Sequence, residues 1–221
     1  MCGRFSLEMD DTFYPRYEVD NVLEIKPNYN VAPFSIIPVI TRMSPKQIVE
    51  MQWGYIPTWS KTISNKYASI NTRAETIETK PSFRESFINY RCLIPATGFY
   101  EWKKEEDNTK TPYYIHIKNQ KYFSFAGIFS TLKRNHKTIY TCSIVTTAAN
   151  DKISYIHDRM PVILSKEEEE IWLDKNMKDT NSLKDLLDQY NSKDIGVYEV
   201  NKKVNYINNN TKENLHPENK I

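Results

Sequence analysis

Glycine is scarce in this chain of 221 residues: there are five. No Gly/Ser-rich linker and no internal repeat divides the chain, so its length reads as one domain with a sizeable core. No C-x-x-C pair occurs, and the cysteines are odd in number: Cys2, Cys92 and Cys142. That excludes a disulfide framework and suits a reducing cytosol. The histidines, His116, His136, His157 and His216, are scattered and have no zinc-site spacing to the cysteines, so no metal is expected. A run of about 18 apolar residues is missing, which excludes a transmembrane helix. The N-terminus also lacks the apolar stretch of a secretory signal, and with it the lipoprotein use of an N-terminal cysteine. Excess charge of one sign is absent as well. The formal net charge is +2, which does not announce a nucleic-acid partner, although a local basic groove needs no large total.

What the chain does contain is β-forming sequence. Aromatic residues make up 13% of it, with 15 tyrosines. "SIIPVITR" (35–42) and "IVEMQWGY" (48–55) read as a β-pair, with Pro38 marking an edge or a bulge. "RCLIPATGFYEW" (91–102) is strand-like with a turn near Gly98. "PYYIHIKNQKYFSFAGIFS" (112–130) alternates and turns at Asn119-Gln120, which predicts a hairpin. "TIYTCSIVTT" (138–147) is rich in β-branched residues, and "IGVYEVNKKV" (195–204) is a further strand candidate. Helices are fewer. Ser82 with Glu85, and Ser165 with Glu168, each have capping-box spacing. Leu183, Leu186 and Leu187 share one helical face, and a short helix is expected after Ser6. Residues 104–111 read as a polar loop, and the Asn-rich C-terminus as a partly ordered tail. The expectation is an α+β fold: a single domain with an antiparallel, β-rich, barrel-like core and peripheral helices.

Several residues carry chemistry. Once Met1 is removed, Cys2 has a free α-amine and a thiol on adjacent carbons. Such a 1,2-aminothiol condenses with an aldehyde: the amine forms an imine and the thiol closes a thiazolidine ring. An α-amine has a pKa of about 7.7–8.0, so a useful neutral fraction exists near pH 7. In "SINTRAET" (69–76), alternation puts Asn71, Arg73 and Glu75 on one face of an extended segment. An Asn there can orient a reacting group, and an Arg can hold a phosphate. Glu101, flanked by Tyr100 and Trp102, is a candidate desolvated proton donor. His157, before Asp158 and Arg159, is a candidate acid, base or hydrogen-bond donor. Trp53 reads as core. Trp59, after Pro57, is divided between core packing and a stacking platform for single-stranded bases. Taken singly, each feature has an ordinary structural explanation.

Taken together, "MCGRF", "NVAP" (30–33), "WGYIPTW", "INTRAET", "CLIPATGFYEW" and "IHDRMPVIL" resemble the abasic-site processing family, also called SOS response-associated peptidase or SRAP-domain proteins. The resemblance runs from residue 2 to about 209, giving an SRAP domain over 1–209 and a polar tail over 210–221. Thr72 stands where a small residue is common, and the tail is this chain's own. The resemblance implies binding to single-stranded DNA, notably near duplex junctions, and a thiazolidine crosslink between Cys2 and the aldehyde of an abasic site. It implies that Glu101 is the acid/base, that Asn71 orients the linkage and that His157 bonds the opened sugar. It also implies DNA contacts from Arg4, Arg73, Asn30 and Trp59, with the two arginines on phosphates. No cofactor is implied, and the expected protein is a cytoplasmic, nucleoid-associated monomer acting in the DNA-damage response. The family name implies self-cleavage of Met1; an aminopeptidase is the other route.

Two further readings compete. Class II glutamine amidotransferases also begin "MCG" and use the N-terminal cysteine as nucleophile. They typically present an Asn-Gly pair at the oxyanion hole, and none of the five glycines here follows an asparagine. The other is a noncatalytic binder of single-stranded nucleic acid, which would need only the arginines and aromatics.

Overall fold

The computed structural model describes residues 2–62, 64–134 and 137–218. Met1 and His136 lie outside the described residues. Thirteen strands are described: β1 (Arg4–Leu7), β2 (Asn28–Val31), β3 (Ile36–Thr41), β4 (Ser44–Trp53), β5 (Asn71–Arg73), β6 (Arg91–Ala96), β7 (Gly98–Lys104), β8 (Lys110–Ile117), β9 (Phe123–Arg134), β10 (Lys137–Ala148), β11 (Arg159–Pro161), β12 (Ile163–Leu164) and β13 (Ile195–Glu199). Four short helices lie around them: α1 (Phe13–Tyr17), α2 (Arg84–Asn89), α3 (Lys166–Leu173) and α4 (Thr180–Asp185).

The strands form two sheets. In the larger, β10, β4, β3, β6 and β9 pair in sequence, and β9 pairs back to β10, closing a five-stranded barrel. β5, β11 and β12 extend it. The β10 pairings with β4 and β5 are parallel, and the other pairings are antiparallel. Val39, Trp53, Ile94, Phe125, Ile128 and Ile144 are among the fully buried residues of this core. The second sheet has the order β13-β8-β7-β1-β2. One face packs on the main core through Phe5 and Phe99, which meet Phe125 at ring-centre distances of 5.7 and 6.0 Å. On its other face Tyr100 and Tyr114 pack with Val200 and Val204 of the C-terminal segment. β7 is therefore covered on both sides, as a central strand of a three-layer stack requires.

The predicted α+β, barrel-like architecture is the one observed. The β3–β4 pair runs in the expected register, and at Pro38 β3 pairs only with β4, so the missing N–H breaks no ladder. Three local expectations differ. Residues 112–130 do not form a hairpin: β8 pairs with β7 and β13, β9 pairs within the barrel, and the turn at Asn119 carries the chain between sheets. Alternation reports which face a residue occupies, not which strand it pairs with. The Ser82 capping box does not form, because residues 80–83 make a separate turn that buries Phe83 against Tyr55, and α2 starts after it. The tail is pinned as far as it is described. Asn209 and Asn214 bond each other, Asn210 Oδ1 accepts the Tyr29 N–H at 2.7 Å, and Asn214 is buried.

Candidate functional site

The two sheets meet at the chain's N-terminus. β1 pairs with β7 with Arg4 opposite Tyr100 and Phe5 opposite Phe99. The pairing stops at Arg4, and Cys2 just ahead of it packs into the main core with Phe5 and Phe99, near enough to Glu101 for that carboxyl's charge to act on its thiol. Cys2 is fully buried, and its Sγ lies 3.9 Å from the Arg4 carbonyl. Burial raises its thiol pKa, and the negative charge of Glu101 raises it further, so no thiolate is preformed in the chain that still carries Met1.

Glu101 sits on β7 opposite Tyr113 of β8 and is 2% exposed. Strand alternation gives it the same face as Phe99, toward the main core. Burial lifts its pKa to about 7, with the nearby Asp158 charge adding to the effect. Both protonation states are populated near neutral pH, as general acid–base work requires.

Asn71 opens β5, which runs parallel to β10 with Asn71 facing Ile144. Its Nδ2 donates to the Cys2 carbonyl at 2.8 Å. Its Oδ1 is buried and has no hydrogen-bond partner among the described residues. A buried amide oxygen without a donor is costly, so it marks a place where a ligand N–H or O–H would be welcome. β5 ends at Arg73 and a 3₁₀ turn, Ala74–Thr76, follows, so Glu75 leaves the strand face on which alternation put it.

His157 lies in the turn between β10 and β11. Its Nδ1 accepts the backbone N–H of Arg159 at 3.0 Å. The Asp158 carboxylate is 2.8 Å from the same nitrogen. These two contacts need opposite states of Nδ1. Burial lowers the imidazole's pKa, with Asp158 acting against it, so the neutral ring with its proton on Nε2 is the form that fits. The turn is braced against the second sheet by Tyr155, whose ring meets Tyr113 at 6.1 Å. Neither tyrosine was singled out in the sequence, since nothing in the pattern signals a contact between sheets.

The structure thus brings Cys2 together with Asn71 and Glu101 and gives the His157 turn a contact with the strand beside Glu101. The expected DNA-contact residues separate. Arg73 is exposed, and Trp59 is 67% exposed on a loop, while Trp53 is fully buried. Arg4 and Asn30 turn inward: Arg4 Nη1 donates to Asn30 Oδ1 at 2.6 Å and to the Val204 carbonyl at 3.0 Å, and the guanidinium carbon lies 5.8 Å from the centre of the Trp102 ring. Asn30 Nδ2 donates to the Val204, Tyr206 and Asn209 carbonyls. These two side chains fasten the C-terminal segment over β1 and β2 instead of lining an open groove.

Comparisons with known proteins agree on one relationship. The family model described as "SOS response associated peptidase (SRAP)" matches residues 1–207. The protein named abasic site processing protein YoqW of Bacillus subtilis is 41% identical over 96% of this chain and 98% of its own. Abasic site processing protein HMCES of Gallus gallus is 29% identical over 87% of this chain and 66% of its own. A crystal structure of a protein from Bacteroides thetaiotaomicron superposes with a TM-score of 0.84 at 32% identity, covering 91% of this chain and 93% of that one.

Proposed function

The chain belongs to the SOS response associated peptidase (SRAP) family, and on that premise we propose that it processes abasic sites in single-stranded DNA by covalent capture through Cys2. The α-amine, released by removal of Met1, attacks the aldehyde carbon of the ring-opened deoxyribose. Water leaves as the imine forms. The thiol then adds across the C=N bond: sulfur takes the carbon, the nitrogen gains a proton, and a thiazolidine results. One water is lost overall.

The observation that carries this reading is the junction at Cys2: the Asn71 amide on its carbonyl at 2.8 Å, beside a buried carboxyl that titrates near 7. In this reading the protonated Glu101 gives a proton to the sugar ring oxygen while the C1 hydroxyl gives its own to water as the ring opens; the carboxylate then receives the thiol proton at ring closure while water supplies the proton to nitrogen. Asn71 orients the linkage. The Nε2–H of His157 donates to the opened sugar, and Arg73 holds a flanking phosphate. Removal of Met1 by the chain itself is the peptidase activity in this scheme. The product shields the lesion during the DNA-damage response, with junctions of single and double strand as the preferred site, a monomer as the acting species and the nucleoid as its place.

A denaturing gel tests the reading. Mature protein incubated with single-stranded DNA containing one abasic site gives a shifted band that survives denaturation. Cys2→Ala loses the band and keeps most noncovalent binding. No band from the wild-type protein would refute covalent capture, and glutamine hydrolysis would support the amidotransferase instead.

A further inference from the structure

Arg159 has no part in the scheme above beyond its backbone, yet its side chain joins two segments that the scheme uses. Its guanidinium grips Glu75 with two prongs: Nη1 on Oε1, and Nη2 on Oε2 at 3.0 Å. The same Nη2 donates to the Thr146 carbonyl at 2.6 Å. The Arg159 side chain is 11% exposed and that of Glu75 51%. Two-pronged pairs of this kind combine charge with fixed geometry, unlike the single-contact pairs of an open surface.

The setting gives the pair its meaning. β5 and β11 are not paired with each other; they flank β10 on opposite sides, and Thr146 is the residue of β10 that faces both Arg73 and Pro161. Arg159 therefore reaches across β10 and ties the end of one flanking strand to the start of the other. Each strand carries an assigned group: Asn71 opens β5 and His157 stands just ahead of β11. Arg159 also donates its own N–H to His157 Nδ1 at 3.0 Å, so one residue makes the clamp and sets the ring tautomer. The Glu75 carboxyl is held below its ordinary pKa, first by the Arg159 hydrogen bond, which keeps it charged and engaged.

We propose that Glu75 is a positioning residue for covalent capture: by holding Arg159 across β10 it fixes the spacing between the Asn71 amide and the His157 ring. The proposal rests on the Cys2 reading given above. An aldehyde joined to Cys2 must meet both groups at once, and a misplacement of about 1 Å costs on the order of 10²-fold in rate.

The test uses the full-length mature protein and Glu75→Ala. Three quantities are read: the maximal capture rate at saturating abasic single-stranded DNA, the Kd for the same oligonucleotide carrying a nonreactive tetrahydrofuran site, and the ¹⁵N imidazole spectrum of His157. The expected result is a fall in maximal rate of about tenfold or more, with Kd within about threefold of wild type. The His157 spectrum changes from the Nε2–H tautomer to a mixture. An unchanged rate overturns the proposal, and so does a rate loss matched by an equal loss of binding, which would make the pair part of the DNA-binding surface. If the wild-type protein forms no adduct, the Cys2 reading fails; the clamp is then judged by the spectrum, and an unchanged His157 tautomer in Glu75→Ala overturns it.

Discussion

Glu101 is where a single residue links stability to chemistry. Its pKa near 7, against an ordinary 4.5, means that the folded chain holds this proton more tightly than the unfolded chain does. The sign follows: the native state is least penalised below the unfolded value and loses stability as pH rises from about 4.5 to about 7, by on the order of 3 kcal/mol. Glu101→Gln removes that loss. The expected outcome is a difference in unfolding midpoint between pH 5 and pH 8 that is smaller in the variant than in wild type; equal differences would show that Glu101 is not desolvated. The same variant slows capture by about 10²-fold while remaining folded. At this scale the sequence was a good guide to residue type and a poor guide to direction. Aromatic neighbours signalled a desolvated Glu101, and Trp53 was read as core. Arg4 and Asn30 were expected on DNA, and their inward turn had no local signal, because they meet carbonyls some 200 and 174 residues away. The Glu75–Arg159 pair spans 84 positions and was equally invisible.

Among the elements, α3 shows what local sequence can specify. Ser165 Oγ accepts the Glu168 N–H at 3.2 Å, and the Ser165 N–H donates to Glu168 Oε2 at 2.7 Å, so the capping box predicted from spacing forms. The C-terminal ends of α2 and α3 depend on something no local pattern contains. Arg91 of β6 is fully buried and donates to the carbonyls of Phe87, Ile88, Trp172, Asp174 and Met177. Arg42 shares the Ile88 and Asp174 carbonyls and adds that of Lys175. Two cations thus satisfy helix-end carbonyls that would otherwise be buried and unpaired. The cost of that arrangement shows in Arg91, whose pKa is lowered to about 9, chiefly by burial and then by the neighbouring Arg42. Arg91→Met roughly keeps the volume and removes the guanidinium donor from the Phe87, Trp172 and Met177 carbonyls, which Arg42 does not reach. The expected loss is about 3 kcal/mol or more, equivalent to a melting-point drop of roughly 6–12 °C. A drop under about 2 °C would mean that water replaces the guanidinium. The Ser82 motif, with the same spacing as Ser165, failed because a tertiary contact of Phe83 claimed the preceding turn.

For the molecule as a whole, the fold class and the long strands were legible from periodicity, whereas short strands such as β1, β2 and β5, and the division of strands between a closed barrel and a second sheet, were not. That division creates the site, because β1 and β7 belong to one sheet, β5 and β11 to the other, and the candidate residues lie where the sheets meet. The net charge of +2 leaves DNA affinity to a few local cations. Affinity for single strands should fall with salt, and Arg73→Ala should reduce the slope of log K against log salt by about 0.7, the contribution of one phosphate contact. An unchanged slope would remove Arg73 from the backbone-binding set. If Cys2 joins its amine and thiol to an abasic aldehyde, the intact mass of the adduct shows it. The expected species equals protein without Met1 plus abasic oligonucleotide, less one water, stable without any reductant and absent in Cys2→Ala. An adduct that persists in Cys2→Ala, or one that appears only after reductive trapping, would contradict it.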